Sequence, residues 1–308
     1  MRDNKTVRYV FSVVCFLLGL VGLVFVVTTP ATQASRPLYG ANVHPWADFQ
    51  SSVDYVAMTP GMGIVRYDEY VLTTSVLSVV AHYDYVKSKG LVSDIVLVQP
   101  CCDTNLMFGY VRALAVAMGP DRTPIVEILN EENASGYGNP WPATTYYQAL
   151  YAARNALSQS GQHNLRISMG GLALNDTAYL NATGIAAGGA WLTDFGNGHF
   201  YTKGGNPTVG PLAPDDLDLA HGGVFSMTRG ISSFQRIIPK PLIIGEWGWQ
   251  TGEMPEGQRA SYMRAVVSLA RTHNVYALIV EEIGPGDGAG PNMRSTASWV
   301  AFSEAAVQ

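Results

Sequence analysis

Glu131 and Glu246 each close a short apolar run. The first run, Val126 to Leu129, passes into Asn130-Glu131 and then breaks into the polar stretch Ser135-Gly136-Tyr137-Gly138-Asn139-Pro140. The second, Leu242-Ile243-Ile244-Gly245-Glu246, is followed by Trp247-Gly248-Trp249. Apolar runs of this length, bounded by turn residues, read as buried strands. Parallel α/β folds keep their chemistry at the carboxyl ends of strands. Two carboxylates delivered there can work as a pair, one moving a proton and the other attacking as a nucleophile. A lone strand-end Glu more often makes a surface ion pair, because charged side chains are mostly exposed. It is the matched context of the two that favours chemistry.

The elements that must hold this pair follow from the pattern. Strands are expected at Leu38–Val43, Gly63–Tyr67, Asp94–Gln99, Pro124–Asn130, Leu165–Met169, Gly198–Tyr201, Leu242–Glu246 and Tyr276–Val280. Helical patterns lie between them: Asp48–Met58, Ser75–Lys89, Asn105–Met118, Ala143–Ser158, a loose stretch over Asp176–Phe195, part of Asp215–Arg236, Glu256–His273 and Ser295–Val307. Tyr262, Ala265, Val266 and Leu269 show the i, i+3, i+4, i+7 spacing of a buried helix face. Strict strand–helix alternation implies parallel strands with right-handed crossovers, and eight units close a single (β/α)₈ barrel over residues 36–308. A doubly wound open sheet is the alternative, but no Gly-x-Gly-x-x-Gly or P-loop supports a nucleotide-binding version. Strand parity places Glu131 on the face of Glu127, and Glu246 on the face of Leu242 and Ile244. Glu127 would lie inside the barrel, paired with Arg66 or Arg166, and Glu132 would point to the loop edge.

Composition narrows the partners. Charged residues are 14% of the 308, and the net charge is −5. No basic run suggests nucleic acid. The Cys and His spacing gives no metal motif and no cofactor fingerprint. Of the three cysteines, Cys101 and Cys102 are neighbours, either two reduced thiols or a vicinal disulfide. Arg2, Lys5 and Arg8 precede an apolar run over residues 9–27, with small residues at Thr32 and Ala34. That is the form of a secretory signal, and its length also suits an uncleaved anchor across a bilayer. Asn133, Asn175 and Asn181 head glycosylation sequons.

With the strands counted, these motifs resemble clan A glycoside hydrolases, whose catalytic carboxylates stand on strands four and seven. Glu127-Ile128-Leu129-Asn130-Glu131 is similar to the strand-four segment, and Gly245-Glu246-Trp247-Gly248 to the strand-seven segment. Arg66 matches the strand-two arginine, and His199-Phe200-Tyr201 the His-x-Tyr ending of strand six. Cellulase-like family 5 and family 39 are the closest in pattern. The resemblance implies a retaining β-glycosidase acting on an oligo- or polysaccharide. Glu131 would be its acid/base and Glu246 its nucleophile, with Asn130, Arg66, His199, Tyr201, Trp247 and Trp46 contacting the sugar or the carboxylates. It implies neither metal nor cofactor. Glu132 replaces the family Pro, Leu129 the family Trp, and Glu281-Glu282 the strand-eight Trp that floors the sugar site. A barrel that keeps a carbohydrate cleft but has lost turnover is the rival reading; an esterase ranks below it, as no Gly-x-Ser-x-Gly is present. His199 also reads as a hydrogen-bonded core histidine.

The amino terminus gives a direct test. Export should depend on residues 9–27, and amino-terminal sequencing of the exported protein should begin near Ser35. Intact protein in membranes starting at Met1 would mean an anchor, and a soluble cytoplasmic protein would sink both versions.

Overall fold

The structure, a computed structural model, describes residues 36–45, 48–134, 140–173, 176–185, 189, 191–201, 227–248, 255–281, 294 and 296–308. The expected signal or anchor segment, Trp46 and the Tyr201 side chain lie outside what it describes. Residues Arg36–Gln308 form one compact unit. Among the described residues no helix is long and apolar enough to cross a membrane.

Strands and helices alternate throughout. The strands are β1 (Leu38–Asn42), β2 (Met62–Tyr70), β3 (Val92–Val98), β4 (Ile125–Ile128), β5 (Arg166–Met169), β6 (Gly196–Tyr201), β7 (Leu242–Gly248) and β8 (Val275–Val280). The helices that follow them are α1 (Phe49–Met58), α2 (Val76–Ser88), α3 (Thr104–Met118), α4 (Ala143–Gln159), α5 (Thr177–Ala182), α6 (Met227–Ile237), α7 (Glu256–Thr272) and α8 (Ala297–Val307). All ladders are parallel, in the order β5-β4-β3-β2-β1-β8-β7-β6. The remaining seam, β5 to β6, is drawn together by two parallel bridges, Ser168–Phe195 and Leu172–Gly198. The result is a nearly closed (β/α)₈ barrel, as the alternation implies.

Local sequence explains the helices. Asp103 caps α3 by accepting from the N–H groups of Asn105 and Leu106, at 3.0 and 2.9 Å. Ser75, Asp176 and Thr296 cap α2, α5 and α8 in the same way. Each satisfies a donor that the first turn leaves open. On α3 the buried residues Met107, Tyr110, Val111, Leu114, Ala115 and Met118 form one stripe toward the sheet.

Two apolar layers result. Val65, Tyr67, Ile95, Leu97, Val126, Ile128, Ile244 and Trp247 belong to the shell between strands and helices. Inside the barrel, Ile64, Ile125, Phe195, Ile243, Ala277 and Ile279 form a small plug. This reverses the expected parity of β7: Leu242 and Ile244 face the helices, and Ile243 faces the barrel. The ladder of β7 with β8 is irregular between Ile244 and Trp247, and that of β6 with β7 between Gly198 and His199. Such a bulge changes which face the following residues take.

Close approach fixes a glycine on β1. A Cβ on Gly40 would lie 1.9 Å from the Ile64 carbonyl oxygen, which only backbone movement could relieve. A Cβ on Gly109, within α3, would meet nothing inside 4 Å. Gly40→Ala should therefore lower stability by about 2–4 kcal/mol. Gly109→Ala should raise it by about 0.5–1 kcal/mol, because glycine is a poor helix former. Urea midpoints of the two variants check both signs.

Candidate active site

Arg66 reaches the barrel interior from β2 and is 2% exposed. Its Nε and Nη2 donate to the two oxygens of Glu127, at 2.8 and 2.9 Å, a bidentate fork. Its Nη1 donates to Glu246 Oε1 at 2.9 Å and to Asn42 Oδ1 at 3.2 Å. The other Nη2 hydrogen goes to Asn130 Oδ1 at 2.7 Å. All five N–H donors of a guanidinium are thereby used. Burial works against the charge, but Glu127 first and Glu246 after it outweigh that and hold the guanidinium protonated. Glu127 is fully buried and also accepts from the Gly171 N–H at 2.8 Å. Of the two expected bases for Glu127, Arg66 is the one it pairs with.

The strand-end carboxylates meet above this pair. His199 Nδ1 lies 2.9 Å from Glu131 Oε1 and 3.2 Å from Glu246 Oε2. His199 Nε2 lies 3.4 Å from Arg66 Nη2, whose two hydrogens are already given to Glu127 and Asn130. His199 is wholly buried, which lowers its affinity for a proton. The charge of Glu246 and the hydrogen bond to Glu131 more than offset that and raise its pKa above the usual value. The Nδ1 position therefore carries a proton directed at the carboxylates. Gly171 makes room for the ring, since a Cβ there would fall 2.0 Å from His199 Nε2.

The route by which each carboxylate arrives differs from strand parity. β4 stops at Ile128, two residues short of Asn130. Leu129 and Glu131 then adopt positive φ, 69° and 47°, and the Glu131 N–H bonds to the Gly171 carbonyl at 3.0 Å. A left-handed residue costs energy for any side chain but glycine; here two of them aim Glu131 at His199. Glu246, 7% exposed, turns inward through the irregularity in β7 and pairs in register with His199. The residue after it must then turn outward. Trp247 is fully buried in the shell behind the sheet, so the expectation that it contacts substrate is corrected.

Glu132 also differs from expectation. It is 2% exposed rather than at a loop edge, and a Cβ on Gly170 would meet its Oε2 at 2.5 Å. Burial, with the charges of Glu127 and Glu131 adding, pushes its pKa well up despite Tyr146 nearby. Glu281, where the resemblance implies a tryptophan, accepts a hydrogen bond from Asn42 Nδ2 and so joins the Arg66 network. Asn133, a sequon asparagine, is engaged at both ends of its amide with Ala173. Cys101 and Cys102 stand directly after β3 with their sulfur atoms adjacent.

Sequence reasoning missed Asn42, Asp94 and Asp68. Asn42 alternates with Gly40 on β1 and Asp68 with Ile64 and Arg66 on β2, while Asp94 lies in register with Arg66 across the ladder, a signal hidden by their polarity. Glu131, His199 and Glu246 could each offer one ligand atom to a cation, as these atoms lie within 4.8 Å of one another. Their spacing here is that of hydrogen bonds between the imidazole Nδ1 and the two carboxylates.

No family model and no curated protein matches the sequence. Solved structures do match the fold. A glucosidase from Croceicoccus marinus aligns with TM-score 0.63 and 12% identity, over 88% of this chain and 66% of its own. An endo-β-1,4-glucanase from Xanthomonas axonopodis pv. citri gives TM-score 0.61 and 13% identity, over 88% and 99%. An endo-1,4-β-D-mannanase from Thermotoga petrophila, solved with maltose and glycerol, gives 0.59 and 14%, again over 88% and 99%. These structural neighbours are glycoside hydrolases. At such identities the likeness is one of fold.

Asp94 gives this site a pH signature. It is fully buried on β3, beside Arg66 in register. Burial, reinforced by the charge of Glu127, pushes its pKa up to about 8 from 3.8, with Arg66 and Arg166 opposing. The folded state thus holds a proton that the unfolded chain releases near pH 3.8. Its contribution is full below that value and is lost as pH rises toward about 8. Asp94→Asn keeps the group neutral, so the variant should gain stability relative to wild type between about pH 5 and about pH 8. Urea melts at both values measure the trend; a constant difference would mean that Asp94 is ionised in the fold.

Proposed function

We propose that this protein is a retaining glycoside hydrolase that cleaves β-glycosidic bonds in an oligo- or polysaccharide. The observation that carries the reading is the convergence of Glu131 and Glu246, from the ends of β4 and β7, on His199 Nδ1 at 2.9 and 3.2 Å. Retaining enzymes hold their carboxyls ~5–5.5 Å apart, close enough for one to attack the anomeric carbon while the other serves the leaving oxygen. Oxygen atoms of Glu131 and Glu246 lie within 4.8 Å here. The glycosidase and glucanase neighbours support the same class.

The roles follow from the surroundings. Glu246 accepts from Arg66 at 2.9 Å, which favours its ionised form and suits a nucleophile. Among the described residues no arginine pairs with Glu131, and it is the more exposed of the two, as a group exchanging protons with leaving group and water should be. Asn130 gives its carbonyl oxygen to Arg66, which leaves its buried Nδ2 donor without an acceptor. That donor suits the substrate 2-hydroxyl, a contact that strengthens toward the transition state. Export, from the basic and apolar leader, would place the enzyme where polysaccharide is found.

Glu246→Ala should lose roughly 10³-fold or more in kcat, about 4 kcal/mol in barrier, while still binding sugar. Azide should restore its turnover of activated aryl glycosides and give a glycosyl azide of inverted configuration. Glu131→Ala should slow poor leaving groups far more than activated ones, since only they need the proton. Wild-type product followed by NMR at early times should keep the anomeric configuration of the substrate. An inverted first product would refute double displacement, and sugar binding without any bond cleavage would favour a binding protein on this barrel.

A further inference from the structure

Asp68 has no part in the scheme above. It stands two residues beyond Arg66 on β2, at the level of Val96 on β3. Val65 and Tyr67 pack into the outer shell while Ile64 lies in the inner plug, so Arg66 and Asp68 both face the barrel. The strand runs toward the open end, which places Asp68 one layer above Arg66, on the side from which substrate arrives. It is 6% exposed, yet none of the hydrogen bonds among the described residues reaches its carboxylate. The groups that face it are Arg66, Glu246, His44 and Glu127, all acting through charge. Arg66 has no N–H left to give it. A carboxylate this buried is normally hydrogen-bonded.

A second group beside the same two glutamates is also incomplete. Asn130 Nδ2 is a buried donor without an acceptor. The surroundings of Arg66 thus present one open donor and one open acceptor. A ligand that satisfies both must itself carry acceptors and donors, as a polyhydroxylated ring does.

We propose that Asp68 is a sugar-binding residue that accepts hydrogen bonds from adjacent hydroxyls of the glycosyl unit held at Glu246, and so helps decide which sugar is taken. The proposal rests on the glycosidase reading and names a contact within the same site. One carboxylate has acceptor positions enough for two neighbouring hydroxyls, and it accepts more strongly when ionised. With Glu281 where an aromatic floor is expected, recognition would rely on such polar contacts more than on stacking. Burial pushes the Asp68 pKa up to about 6, with Glu246 and Glu127 adding to it and Arg66 and His44 opposing. Tight binding should therefore need a pH above about 6.

The experiment uses p-nitrophenyl β-D-glucoside, β-D-mannoside and β-D-xyloside to find the best substrate, and then its monodeoxy analogues. Asp68→Ala should raise KM for the full sugar about 10- to 100-fold, the range for a hydrogen bond to a charged group, with a smaller change in kcat. Against the analogue that lacks the partner hydroxyl, the same substitution should change KM by less than about threefold, because the contact is already gone. Asp68→Asn preserves the shape of the side chain and serves if the alanine variant does not fold. It should lose the limb of the kcat/KM profile near pH 6 that is expected of the wild type. An equal loss against every deoxy analogue would overturn the proposal in favour of a purely structural role. So would a preference for amino-sugar glycosides that the Asn variant abolishes, since that would make the partner a cation. No turnover of any glycoside by the wild type would take the glycosidase reading down with it, whereas turnover with an additive cycle would remove Asp68 alone.

Discussion

Arg66 gives all five of its N–H donors to groups inside the barrel: two to Glu127, two shared between Glu246 and Asn42, and one to Asn130. Those acceptors come from β1, β4, β7 and the turn after β4. A single planar cation therefore sets the relative positions of three segments that are remote in sequence. Lysine could not replace it, because an ammonium has three donors and no fixed fork. The arrangement is costly in one sense: taking ions out of water carries a penalty of several kcal/mol per ion, and breaking a buried pair typically costs 3–5 kcal/mol. What it gives in return is orientation. The Glu127 carboxylate holds the guanidinium flat by two bonds, and Gly171 N–H fixes Glu127 in turn. Glu246 then meets a charge that has no freedom to turn away. Preorganised charge of this kind needs no rearrangement when a reaction begins.

Neither glutamate proposed for chemistry sits on a regular stretch of strand. A straight strand end carries its side chains alternately in and out, and two such ends across a barrel would leave their carboxyls at heights set by the ladder alone. Here β4 ends early, and two left-handed residues lift Glu131 over toward His199. In β7 an irregularity turns Glu246 inward directly after an inward Gly245, whose N–H bonds to Asn197 Oδ1 at 3.1 Å. A Cβ on Gly245 would collide with that same Asn197 oxygen at 2.6 Å. Strain and bulges are stored near functional sites because they aim a side chain where a regular element cannot. The two devices are different solutions to one requirement, that carboxylates from β4 and β7 come within reach of one imidazole.

Alternating patterns in the sequence made the barrel legible, since strand and helix periods differ and the glycines and prolines between them are strong punctuation. Glu131 and Glu246 were legible as candidates because each closes an apolar run, and Arg66, Asn130 and His199 because they match motifs of the family resemblance. Their packing was not. Parity arguments assume regular strands, so they put Leu242 and Ile244 on the wrong face and sent Trp247 toward the sugar. They also carried β4 through Asn130, which hid the turn that buries Glu132. Asn42, Asp68 and Asp94 escaped notice for a different reason: an inward polar residue on a strand resembles an outward one until its neighbours across the barrel are known. The vicinal cysteines were undecidable from sequence, because thiol and disulfide need the same two residues.

His199 couples the two carboxylates in a way that bears on how their roles can be separated. One Nδ1–H lies within hydrogen-bond reach of both Glu131 and Glu246, and one hydrogen cannot serve both equally. Whichever carboxylate takes it has that acceptor position filled, and the other keeps it open. Arg66 breaks the symmetry, because it bonds Glu246 and not Glu131. Glu246 is therefore held from two sides and Glu131 from one, which is the division that the proposed attack at a carbon and protonation of a leaving oxygen call for. Replacing His199 would remove a contact of both glutamates at once. The imidazole that looked, in sequence, equally like a core histidine is the point at which carboxylates delivered by β4 and β7 meet.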